Sequence, residues 1–126
     1  MDYFRHGKNK ESLIKHLSLY CASVYEEEVV DNVFYVDILY AVIIRAIEYS
    51  TWALLPEYTN MSVDIWQPYL EENSSMKILW PAQQLIGKKG ILCGKNAIIQ
   101  LPTGAGKTKG IELIIRTAFL ADRADT

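Results

Sequence analysis

One stretch limits this chain more than any other. An apolar run, Ala97-Ile98-Ile99 with Leu101, leads into Pro102-Thr103-Gly104-Ala105-Gly106-Lys107-Thr108, and a helical pattern follows from Ile111 to Leu120. Apolar segment, glycine loop ending in Gly-Lys-Thr, then helix is the context in which a phosphate-binding loop is expected. The run at 96–101 predicts a strand. Its near-continuous hydrophobicity suits a strand covered on both faces in a parallel sheet.

The loop residues fit triphosphate chemistry one by one. Gly104 and Gly106 permit unusual backbone angles and close approach to an anion. Backbone N–H groups from Gly104 through Ala105 and Gly106 to Thr108 would form the cradle, at the positive end of the next helix. Lys107 would place its ammonium on the β- and γ-phosphates, and Thr108 would offer its hydroxyl to Mg²⁺. Glu112, one turn beyond Thr108, reads as a solvated helix residue.

The rest of the chain reads as helices. Leu13, Ile14, Leu17, Tyr20, Cys21 and Val24 form one apolar stripe, predicting a helix capped at Asn9 or Ser12 and running to about Glu26. The first ten residues read as polar and loose. A second helix is expected from Asp31 to about Leu55, ended by Pro56. Its apolar face is broad enough to imply burial on more than one side. Arg45 and Glu48 stand at pairing distance on it. Asn60 or Ser62 opens a third helical piece, interrupted by Pro68. Residues 71–75 read as a polar linker. Pro81 suits the first turn of another helix, and glycines 87, 90 and 94 mark a turn region.

Charge divides the same way. Residues 1–75 hold five Lys/Arg against twelve carboxylates, whereas residues 76–126 hold eight against three. A basic half suits phosphates and an acidic half does not suit nucleic acid. The boundary is placed near residues 73–78, dividing a helical region, 1–75, from the start of an ATP-binding region, 76–126. No stretch offers the ~20 apolar residues of a bilayer span, so no membrane is expected. Cys21 and Cys93 lack partners at metal-ligand spacing and read as reduced thiols of a cytoplasmic protein. His6 and His16 read as surface or packing histidines.

Residues 102–108 resemble motif I of the superfamily 2 helicases and translocases, the DEAD/DEAH-box relatives. Leu101 stands where the broader phosphate-loop pattern has glycine, which argues against a transporter subunit or small kinase. About twenty residues upstream, Pro81-Ala82-Gln83 resembles the segment whose glutamine reads adenine in that family, and Gly94-Lys95-Asn96 resembles the residues just ahead of its motif I strand. Gln83 matches the adenine-reading residue, with Gln84 its rival. The resemblance covers about residues 78–121 and implies ATP and Mg²⁺ as cofactors, nucleic acid (DNA or RNA) as partner, and an α/β RecA-like domain. The family's Asp-Glu, Ser-Ala-Thr and arginine-finger motifs are absent. The expectation is therefore a mainly α chain, a helical region followed by the truncated start of that domain, without hydrolysis of its own. Trp80 to Gln83, Pro102-Thr103 and residues 112–120 also resemble prokaryotic phage-defence helicases of the Hachiman type. The alternative is a helical protein-interaction module attached to a different phosphate-loop ATPase. Trp52, Trp66 and Tyr58 would supply its docking surface or else fill its own core.

Overall fold

The computed structural model describes residues 2–27, 30–73 and 76–122. The described chain is mainly α-helical. Helices α1 (Asp2–His6), α2 (Lys10–Glu26), α3 (Val30–Glu48), α4 (Thr51–Thr59), α5 (Val63–Glu72), α6 (Pro81–Lys88) and α7 (Lys107–Leu120) follow in order.

Two clusters hold them together. Cys21 and Val24 of α2 meet Val36 of α3 in a small one. The main core gathers Tyr3, Ile47, Trp52, Leu55, Trp66, Tyr69 and Leu70 from α1, α3, α4 and α5. Leu79, Ile86, Leu92 and Leu113 enter the same core from later in the chain. The helix that carries the glycine loop is thus anchored, through Leu113, against the helices that precede it.

Polar groups inside this core find partners. Trp66 Nε1 donates to Thr59 Oγ1 at 3.1 Å, and that hydroxyl donates to the Leu55 carbonyl at 2.6 Å. Tyr3 and Ser50 hydroxyls share a buried bond of 2.7 Å. Residues 76–79 run alongside 49–51 through a single antiparallel bridge between Ser50 and Ile78. Thr51 N donates to Lys77 O at 3.1 Å, Leu79 N to Tyr49 O at 2.9 Å, and Thr51 Oγ1 to Met76 O at 2.8 Å. This seam brings the start of α6 against α4.

Several expectations are corrected here. The opening residues are not loose: 2–6 form α1, because Tyr3, only 4% exposed, has a core to enter. The long second helix is two helices. It breaks at Tyr49-Ser50, where Ser50 turns extended and its side chain accepts from Ala53 N at the start of α4. Pro56 ends nothing and lies inside α4, and Pro68 lies inside α5. Glu71 and Glu72 complete α5 rather than begin a linker, and residues 74–75 lie outside the described residues. The strand at 96–101 does not form. None of the described residues belongs to a strand ladder, so this segment has no neighbour to pair with. Its Ile98 is fully exposed. No helix among the described residues is long and apolar enough to cross a membrane.

Candidate nucleotide-binding loop

The loop is built by α6 and α7 with the irregular segment between them. Gly104 and Gly106 both take left-handed backbone angles, φ 83° and 81°. Gly106 is the N-cap of α7, and the first helical bond runs from Gly110 N to Gly106 O at 3.0 Å. Helix geometry therefore leaves the amides of Lys107, Thr108 and Lys109 without intrahelical acceptors. Lys107 and Thr108 occupy the first two helical positions with exposed side chains, Thr103 and Gly104 are exposed, and Ala105 is half-buried. A Cβ placed on Gly104 would meet nothing within 4 Å. The loop is thus open on that side, and the helix dipole raises the potential there.

Gly110 explains how closely α7 lies on α6. A Cβ there would come within 3.0 Å of Ile86 Cδ1. The same approach brings Gln83 to the loop. A Cβ on Gly106 would stand 3.0 Å from Gln83 Nε2 and 3.7 Å from Trp80 Cε3. Of the two adjacent glutamines, Gln84 donates to the Leu79 carbonyl at 2.7 Å. Gln83 accepts at Oε1 from Trp80 N at 2.9 Å, closing the first turn of α6. Its amide nitrogen is the end that borders Gly106. Gln83 is only 4% exposed, so it stands behind the loop rather than on it.

The residues of 103–108 and Gln83 are thus brought together. The geometry suits a triphosphate: two left-handed glycines, three amides at a helix start, a lysine and a hydroxyl. Among the described residues no group of three His, Cys, Asp or Glu side chains could hold a metal ion. A magnesium ion here would arrive with the phosphates and meet the Thr108 hydroxyl.

Other residues near the loop gave weaker sequence signals. Glu112 is not a freely solvated residue. It accepts from Lys109 Nζ at 2.7 Å and from the Tyr69 hydroxyl at 2.6 Å. The Arg116 guanidinium covers the Tyr69 ring, 4.1 Å from its centroid. Lys109, and then the Tyr69 hydroxyl, hold the Glu112 carboxyl below its ordinary pKa. Burial, and then the Glu112 bond, push the Tyr69 phenol up. This chain of contacts fastens α7 to α5. The Lys109–Glu112 spacing was visible in the sequence, but Tyr69 is 43 residues away and left no local trace. Trp80, 55% exposed beside Gly106, also belongs to the loop's surroundings.

Of the two roles open to Trp52, Trp66 and Tyr58, docking surface or core, the core is the one they take. Trp52 and Trp66 are buried at 5% and 0% exposure, and Tyr58 is half-buried against Gly87. Cys21 and Cys93 are both free thiols, and Cys93 Sγ bonds the Tyr58 carbonyl at 3.0 Å. No protein-family model, no curated protein and no solved structure matches the chain.

Proposed function

We propose that residues 103–108 bind the triphosphate of Mg²⁺·ATP, and that the chain supplies motif I and the adenine-facing glutamine of an ATP-dependent nucleic-acid helicase or translocase. One observation carries the reading. Two left-handed glycines open directly onto the start of a 14-residue helix whose first residues are Lys107 and Thr108, with Gln83 packed behind the second glycine. In this reading the backbone amides receive phosphate oxygens, Lys107 neutralises charge, and Thr108 contacts the metal. Gln83 has its carbonyl engaged by Trp80 N, so in this reading its amide nitrogen would donate to a base once that buried side of the loop opens. The uncovered stripe Ile111, Ile115 and Phe119 on α7 agrees with a helix evolved to lie under a sheet.

Calorimetric titration with Mg²⁺·ATP tests the binding. One charge-assisted contact is worth about 1.5–3 kcal/mol, so Lys107→Ala should weaken the affinity about tenfold to a hundredfold. Absence of saturable binding, or affinity unmoved by Lys107→Ala in a protein of unchanged helicity, refutes the loop assignment. The helicase reading is tested separately by nucleic-acid-stimulated ATP turnover in the protein that carries this region. Turnover that survives Lys107→Ala refutes it.

A further inference from the structure

Helix α3 is apolar on a face that none of the described residues covers. Val36 and Ile47 point into the protein at 3% exposure each, with Ile43 and Val33 half-buried beside them. At about 100° per residue, the opposite face carries Phe34, Tyr35, Ile38 and Val42. These are 62, 69, 46 and 59% exposed. An amphipathic surface helix shows one apolar stripe, and α3 has two.

The charges on the outer face follow a pattern. Asp31, Ile38 and Arg45 stand seven residues apart, about two helical turns per step, and so lie along the middle of this face. An acidic and a basic residue thus stand seven positions to either side of Ile38, in opposite directions along the helix. Turned end for end about Ile38, the face matches itself: apolar centre on apolar centre, Asp31 on Arg45. A two-fold interface demands this self-complementarity, because the same patch serves both subunits. The C-terminal end of the face also holds a groove of about 500 Å³ lined by Ala41, Val42, Arg45, Ala46, Tyr49 and Ile78.

We propose that this face of α3 is a homodimer interface, with two copies packed antiparallel about Ile38. In that register Ile38 meets Ile38 of the second copy. Phe34 lies opposite Val42 of the second copy, at the groove. Asp31 lies against Arg45 of the second copy, and the reciprocal pair closes the other end. Arg45 is already held at its end of the face by Glu48, at 3.2 Å, and by the Tyr49 ring, 5.1 Å away. A guanidinium has five donors, so the Glu48 contact leaves others for Asp31. None of the ion pairs among the described residues involves Asp31. A second copy is favoured over a different protein by the symmetry of the charges about Ile38, which a different partner would not require.

Sedimentation of the full chain across micromolar to submillimolar concentrations tests this. The expected species is a dimer. Asp31→Arg and Arg45→Asp each place like charges at both ends and should weaken self-association about tenfold or more. Mixing the two single variants should recover a dimer of one copy of each, and the double variant D31R/R45D should dimerise by itself. All these side chains are exposed, and circular dichroism checks that the variants fold. A monomer at every concentration overturns the proposal, including one whose face is covered by a different protein. So does a dimer indifferent to either charge reversal, or a failure of the mixed and double variants to reassociate.

Discussion

Thr51→Val probes the seam between the start of α4 and the segment that leads into α6. Valine keeps the shape of threonine and removes only the hydroxyl. In the structure that hydroxyl is fully buried and donates to Met76 O at 2.8 Å, with a longer approach of 3.3 Å to Lys77 O. Lys77 O keeps a second donor, the Thr51 amide at 3.1 Å, so the loss falls on Met76 O. One net hydrogen bond together with one partly orphaned buried carbonyl amounts to about 1–2 kcal/mol. For a chain of 126 residues, an unfolding entropy of about 0.26 kcal/mol/K follows from the usual value per residue. The expected fall in melting temperature is therefore about 4–8 °C. Thr51→Ala, which also removes a buried methyl, should cost more. Thermal melts followed by circular dichroism give the shift. Hydrogen exchange at the Leu79 amide, bonded across the seam to Tyr49 O, should quicken in the same variant. A Thr51→Val protein that melts within about a degree of wild type, with Leu79 as protected as before, refutes the role given to this hydroxyl.

Two further predictions concern the loop and its brace. Gly104→Ala and Gly106→Ala both force a side chain onto a left-handed backbone, at about 1–2 kcal/mol. Only at Gly106 does the new Cβ also crowd Gln83 Nε2, at 3.0 Å, so urea titration should find Gly106→Ala the less stable of the two. Glu112 has a depressed pKa, so its contribution is present above the unfolded carboxylate value and is lost as pH falls through the folded one. Wild type should therefore lose more stability than Glu112→Gln on acidification below the ordinary glutamate range. Glu71, lowered by Gln67 and His6, acidifies alike in both proteins, so the difference isolates Glu112.

The helices were legible where side-chain period and end signals agreed. Leu17, Cys21 and Val24 mark the inward face of α2, and Pro81 begins α6 as its missing N–H suggests. The break inside 31–55 was missed because the apolar pattern runs on through Tyr49 and Trp52. The signal was Ser50, a good N-cap hidden in a hydrophobic stretch. The five residues of α1 are too few to show a stripe, and only the distant core gives Tyr3 a reason to order. The strand at 96–101 shows the opposite limit. Its composition was correct for a buried strand, but a strand exists only with a hydrogen-bonding neighbour. At the loop, the glycines were readable from the motif itself, and Gln83 only from the resemblance of Pro81-Ala82-Gln83 to the helicase segment. The burial of Gln83 and the Tyr69–Glu112 brace were not, because both depend on how α6 and α5 meet α7.

The three tryptophans divide the chain's intrinsic fluorescence into two optical populations. Trp52 and Trp66 are sealed in the core, and the Trp66 indole N–H is bonded to Thr59. Trp80 stands in solvent against Gly106. The blue part of the emission therefore follows the state of the helical core, and the red part follows the surroundings of the glycine loop. A soluble quencher reaches Trp80 first and leaves the other two bright, so one unlabelled sample reports on the core and the loop at separate wavelengths.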